Sequence, residues 1–175
     1  MRSSPGLTLV LGLWLGSTVA VLGLVGSSFG SFEQAMEANP ELRERIENEA
    51  KDRRMTTVWV YAGELNRSTF YVWNRVQLGL AAASLIIALL RLPRAAVVGA
   101  LMAAGAIVLA LTFWGEPRIT EIGRTLDFRP RSDPDLAGAF ARFDRLHDLY
   151  LGLESLKTLL VLAASLLALR WRPEG

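Results

Sequence analysis

The chain has 175 residues, 51% of them hydrophobic and 21% charged, with a mean hydropathy of +0.30 and a formal net charge of +2. A balance this close to neutral, with no basic stripe, argues against a nucleic-acid partner, and the absence of cysteine excludes disulfides and thiol chemistry. One histidine, His147, leaves no multi-histidine metal site within a chain, so neither metal nor cofactor is expected.

The apolar residues are gathered in four blocks of roughly 20 residues, the length that crosses a ~30 Å hydrocarbon core, and the charges are kept out of those blocks. The pattern predicts an all-α fold. Residues 1–175 form one integral membrane four-helix bundle, with two long, partly helical loops on one side.

The first span is expected over about 7–29, LTLVLGLWLGSTVAVLGLVGSSF. Its apolar run exceeds the ~7–15 residues of a signal-peptide core, which favours a retained anchor over a cleaved leader. Gly12 and Gly16 make a G-x-x-x-G pair of the kind that lets another helix approach closely. The first long loop, 31–70, contains Asn39-Pro40, a helix start with an asparagine cap and proline in the first turn. Glu41/Arg45, Glu47/Lys51 and Glu49/Arg53 then pair at i,i+4 spacing in the favourable order. Thr57 to Tyr71 is aromatic and amphipathic, and Trp59, Tyr61, Phe70, Tyr71 and Trp73 suit a segment lying near the headgroups.

The second span, about 71–90, carries Asn74, Arg75 and Gln77 one turn inside its start. Pro93, in the turn from Arg91 to Arg94, keeps it from running on into the third span, about 95–114. That third span has small residues at close spacing, including Gly99 and Ala103, and is expected to pack within the bundle. In the second long loop, 115–148, Ser132-Asp133-Pro134 marks a helix start. Leu136, Phe140, Phe143 and Leu146 then recur at helical spacing. Nothing interrupts the pattern before Arg170, which predicts one helix of roughly 40 residues, about 58 Å long, entering the membrane as span 149–170.

Four spans put both termini on one side and both long loops on the other, so the second and fourth spans run in the same direction. Arg75 and Glu154 then lie at matching depths, roughly 6–8 Å below the long-loop edge at 1.5 Å per residue. Asn74, Gln77, His147, Tyr150 and Lys157 occupy the same slab and complete a candidate intramembrane polar cluster. A charge in a spanning helix costs about 2.5–3.5 kcal/mol at mid-membrane. Glu154 is therefore expected to pair with Arg75 across helices, with Lys157 nearby at i+3. Such a pair is either a clamp that fixes helix partners or the wall of a polar pocket.

Asp144, His147 and Asp148 share a helical face, but without a second supplier of ligands they do not make a metal site. No Ser-His-Asp order, phosphate-binding loop or dinucleotide glycine fingerprint is present, and no enzymatic activity is expected.

Several features together resemble the transmembrane protein 205-like family, four-span membrane proteins with a domain of unknown function. They are the glycine-containing first span (Trp14–Val19), the long first loop, the close-coupled second and third spans, Pro117 and Ile119 after the third span, and the start of the last span. There Phe143, Leu146 and His147 are followed by Tyr150, Leu153 and Glu154. The chain departs from the family at two places. Ser27–Phe32 lacks the proline often found near the end of the first span, and the charged Glu154 stands where a polar amide tends to follow the histidine. The resemblance implies a four-span fold and no established activity.

The expected role is that of a non-catalytic scaffold or accessory protein, with a small permease or ligand-binding bundle as the alternative. Its partners are the lipid bilayer and a second copy or a membrane partner protein. The short segments beside the spans carry Arg2, Arg91, Arg94, Arg170 and Arg172 against Glu174 alone, which assigns both termini to the cytoplasm and the chain to the cell (inner) membrane.

Overall fold

Every third or fourth residue of four long helices turns inward, and this repeat builds the molecule. The structure is a computed structural model and describes residues 5–40, 44, 51–91 and 94–170. Helix α1 spans Pro5–Ala38 and buries Leu7, Leu11, Trp14 and Thr18. Helix α2, Lys51–Arg91, buries Asn74, Gln77, Ala81, Ser84 and Ala88. Helix α3, Ala95–Ala110, buries Val97, Leu101, Ala104 and Val108. A π-helical turn, Leu111–Gly115, carries it into α4, Glu116–Leu126. After a 3-10 turn at Pro134–Leu136, helix α5 spans Ala137–Leu169 and buries Tyr150, Glu154, Lys157, Val161 and Ala164. The alternating spacing of three and four is the seam of a left-handed bundle.

The four long helices form a ring. Helix α1 packs on α2 and α5, and α3 packs on the same two, so α2 and α5 face each other across the diagonal. Their outer faces are apolar: Leu9, Leu13, Leu22, Ile86, Leu89, Met102, Leu109, Leu159 and Leu166 are all exposed. Only 17–33% of the apolar window in each of the four candidate spans is buried inside the bundle. In water such a surface would aggregate; in lipid it is the required one. The chain is a multi-pass, all-helical membrane protein built as a four-helix bundle.

Two expectations about packing and loops change. Gly12, Gly16 and Gly99 are exposed, a Cβ added to any of them would meet nothing within 4 Å, and Ala103 is exposed as well. These small residues do not pack the bundle. They fall between the seam positions, on the outer surface of α1 and α3. The long loops are also more helical than predicted. Helix α1 continues to Ala38, and Thr57–Tyr71 is the unbroken continuation of α2, with no separate segment along the headgroups. At 1.5 Å per residue the 41 residues of α2 extend for about 61 Å, twice the thickness of a ~30 Å core.

Asn39 separates α1 from Pro40, which is helical, and the rest of the helix start predicted there lies outside the described residues. The three i,i+4 pairs between Glu41 and Arg53, the tight turn at Leu92-Pro93, and Arg2, Arg172 and Glu174 all involve residues outside the described ones. At Ser132-Asp133-Pro134 the predicted start is present: the Asp133 carboxylate accepts from the Asp135 backbone N–H at 3.0 Å.

Beyond the spans an ionic knot ties α2 to the end of α4. Arg67 donates two parallel bonds of 2.8 Å to the Asp127 carboxylate and a third, also 2.8 Å, to Glu64, which in turn accepts from Arg124 at 3.2 Å. Arg67 and Asp127 are largely buried, so this fork is stronger than a surface pair. It anchors the turn in which Phe128 adopts a left-handed φ of 62°, a conformation unfavourable for an aromatic residue. Gly123 makes the knot possible, because a Cβ there would lie 3.0 Å from an Arg67 nitrogen and 3.2 Å from the Phe143 ring. Gly123→Ala is expected to cost about 1–3 kcal/mol through this overpacking. Gly12→Ala is expected to be neutral or slightly stabilising, by up to ~1 kcal/mol, through helix propensity. Chemical unfolding of the two variants in detergent micelles separates these outcomes.

Candidate functional site

Polar side chains occupy seam positions at one level of the bundle and meet at its axis. Helices α2 and α5 are too far apart across the diagonal to pack as neighbours, so only long side chains can join them. Gln77 of α2 reaches over and donates from Nε2 to Glu154 Oε1 at 3.1 Å. Lys157, one turn beyond Glu154 on α5, donates from Nζ to both Glu154 Oε2 and Gln77 Oε1. Trp14 of α1 donates from its indole nitrogen to the same Gln77 oxygen at 3.2 Å. The ammonium also lies 5.9 Å from the Trp73 ring centroid, within cation–π range. Three helices are thus joined through one amide.

A turn closer to the long-loop side, Tyr150 of α5 donates to Asn74 Oδ1 of α2 at 3.0 Å, and its ring meets Phe70 edge-on at 5.5 Å. Gln77 and Lys157 are 0% exposed, Asn74 1% and Glu154 9%. The site is closed. Both oxygens of Glu154 accept bonds and the Gln77 oxygen accepts two, so the charges are matched and the acceptors used within the protein. The Asn74 Nδ2 and Ser84 Oγ atoms are buried without a hydrogen-bond partner in the protein.

Of the seven residues expected in the polar cluster, Asn74, Gln77, Tyr150, Glu154 and Lys157 come together. Arg75 and His147 do not. Arg75 is exposed; its guanidinium carbon stands 3.2 Å over the Tyr71 ring and its Nη1 donates to the Tyr71 carbonyl at 2.7 Å. The predicted Arg75–Glu154 pair is therefore replaced by Lys157–Glu154. The reason is rotational. Adjacent residues on a helix point about 100° apart, so with Asn74 on the seam Arg75 faces outward and turns toward the membrane edge. His147 is exposed on the opening stretch of α5, stacked on Phe143 with centroids 6.1 Å apart. Asp144 of the same face pairs with Arg131, at 2.9 Å. Among the described residues no group of three potential metal ligands occurs.

Two participants escaped prediction. Trp14 and Glu116 look like an ordinary apolar and an ordinary loop residue, yet Trp14 is 0% exposed and Glu116 is buried below Thr120, whose hydroxyl donates to it at 3.4 Å. The seam held the signal for Trp14: counting 7, 11, 14, 18 aligns it with the inward face. For Glu116 the signal was hidden, because a helix had to run straight through Gly115 and Pro117.

Comparison with known protein families, curated proteins and solved structures gives no match for this chain.

Removing one member of the buried pair leaves the other uncompensated. Glu154→Ala and Lys157→Ala are each expected to destabilise by about 3–5 kcal/mol, and the double change Glu154→Leu with Lys157→Leu by much less than their sum. Arg75→Ala is expected to stay within about 1 kcal/mol of the parent, as for an exposed group. Unfolding titrations in micelles test this; an Arg75 variant as damaged as the Glu154 variant would contradict the arrangement.

Proposed function

We propose that the chain is a non-catalytic scaffold or accessory protein of the membrane. In this reading the buried network fixes which helix meets which, and the helical extensions present the partner surface. The observation that supports it is that Gln77, Glu154 and Lys157 bond to one another and to Trp14 at 0–9% exposure, with every carboxylate and amide oxygen among them occupied. A site for a ligand keeps convergent polar groups open to it. Beyond the spans, Arg67–Asp127 ties α2 to the end of α4 and Arg131–Asp144 ties the following turn to α5, and these extensions would carry the partner contacts.

The outward small residues Gly12, Gly16, Gly99 and Ala103 suit close approach by a second copy or by a partner helix. Both termini are assigned to the cytoplasmic face of the cell (inner) membrane, on the strength of the arginines that flank the short connections. Membership of the transmembrane protein 205-like family belongs to the same proposal and rests on the Phe143, Leu146, His147 start of the last span.

One observation favours the alternative, a ligand-binding or transporting bundle. Asn74 Nδ2 and Ser84 Oγ are buried polar atoms without a hydrogen-bond partner in the protein, about 15 Å apart along α2, and small polar species between the helices at those two levels would satisfy them. Glu154→Gln separates the readings. As a clamp, it is expected to lower membrane abundance together with Glu154→Ala, because the amide leaves the Lys157 ammonium without its counter-charge. Full abundance of the Glu154→Gln protein, with loss of a cation or proton flux seen for the parent in dye-loaded proteoliposomes, would defeat the clamp and support transport. A C-terminal tag reached from the outer face would overturn the sidedness.

A further inference from the structure

Outside the buried network, the groove between α4 and the first turns of α5 combines charge and greasiness in a way that packing does not require. It encloses about 540 Å³. Its floor is Trp114, Leu146 and Leu149, and its rim carries Arg118, Arg142 and Arg145. Two helical stripes produce it. Arg118 stands one turn past Trp114 on the helix leaving the membrane, while Arg142, Arg145 and Leu149 lie along one face of the helix entering it. At the far end, a Cβ on Gly138 would meet nothing within 4 Å, so the groove stays open there.

The three guanidinium groups have no carboxylate within ion-pair distance among the described residues, although Arg67, Arg124 and Arg131 nearby all do. Arg145 spends only its Nε, on the Ala141 carbonyl at 3.4 Å. Three cations line one groove, and among the described residues none of them is paired with a carboxylate. An external anion would supply that counter-charge.

Depth identifies the anion. Trp114 and Leu149 are 46% and 47% exposed, and they stand at the edge where the unbroken apolar runs of the third and fourth spans end and begin in the sequence. Arg118 and Arg145 are each four residues beyond that edge, about 6 Å, and Arg142 is seven residues beyond, about 10 Å. The headgroup layer occupies roughly the 5–8 Å outside the hydrocarbon on each side. The cations therefore sit at or just above phosphate level, with Trp114 and Leu149 at acyl level beneath them. We infer that this groove is a binding site for one anionic phospholipid. The headgroup phosphate would be held by Arg118, Arg142 and Arg145, and the upper acyl chain would lie on Trp114, Leu146 and Leu149. Arginine suits the role because its planar fork grips phosphate in two-pronged fashion. A soluble phosphate ester would satisfy the cations equally well but would leave the apolar floor uncovered.

The test uses the full chain, released from mixed phosphatidylcholine and phosphatidylglycerol vesicles into mild detergent and examined by native mass spectrometry. One retained phosphatidylglycerol per chain is expected, in preference to phosphatidylcholine. The combined change Arg118→Gln, Arg142→Gln and Arg145→Gln is expected to weaken that retention about 100-fold, at about fivefold per arginine near an anionic lipid. Its thermal unfolding in phosphatidylcholine alone is expected to match the parent, since none of the three arginines is part of an ion pair in the protein. Retention unchanged in the triple variant, or equal for both lipids, would overturn the site. Displacement of the lipid by glycerophosphoglycerol or inorganic phosphate at comparable concentration would overturn the lipid assignment in favour of a soluble ester. Leu149→Ser is expected to weaken lipid retention while leaving the arginines in place; no effect would equally count against the acyl-chain contact.

Discussion

A lysine ammonium held at 0% exposure on the axis of a membrane bundle needs counter-charge and acceptors, and much of this structure follows from supplying them. Lys157 meets the need in two stages. Glu154 lies one turn away on the same helix, so α5 carries its own neutralising partner before any other helix arrives. Gln77 then offers an acceptor oxygen and a donor nitrogen from across the diagonal, which ties α2 to α5 at one register. An apolar seam would tolerate sliding by a turn, because leucine, alanine and valine replace one another at small cost. A buried amide facing an ion pair does not tolerate it. In the clamp reading proposed above, the network would contribute specificity more than net stability, in line with the small gain that buried ion pairs bring over apolar packing.

The same helices show why the bundle is polarised along its axis. From Val161 and Ala164 onward the α5 seam is apolar, and so is the α2 seam at Ala81 and Ala88, broken only by Ser84. All other polar seam residues lie toward the long-loop side, where Tyr150, Asn74 and then Glu116 carry the gradient outward. This grading limits the depth at which charge is buried. It also leads without a break into the ionic knot at Arg67, Glu64 and Asp127, so the extramembrane extensions are held by directional bonds where hydrophobic burial is no longer available.

Two groups of arginines stand at the long-loop end of the bundle. Arg67, Arg124 and Arg131 are satisfied inside the chain and brace helix ends. Arg118, Arg142 and Arg145 are left to the surroundings, on the groove between the start of α4 and the first turns of α5. Sequence position does not separate these classes, since Arg142 and Arg145 flank the paired Asp144. Helical rotation does: Asp144 faces the turn that brings Arg131, whereas its neighbours face the groove.

Features that depend on local composition were legible before any helix was packed against another. Block length and hydropathy specified four spans, all-helical class and the long final helix, because each helix must satisfy its own backbone in lipid. Asp133-Pro134 announced its start through capping chemistry that needs no tertiary partner. Depth, counted at 1.5 Å per residue, gathered seven polar residues into one slab, of which Asn74, Gln77, Tyr150, Glu154 and Lys157 meet in the structure while Arg75 and His147 do not. Direction around the helix was legible only in the three-and-four repeat, and there the simple matching of opposite charges misled: Arg75 was at the right height on the wrong face. Tertiary structure decided the rest. It chose Lys157 over Arg75 for Glu154, turned Gly12, Gly16, Gly99 and Ala103 outward, and drew Trp14 onto Gln77. Such choices follow from which helices are neighbours and which are diagonal, a relation between segments that no single segment encodes.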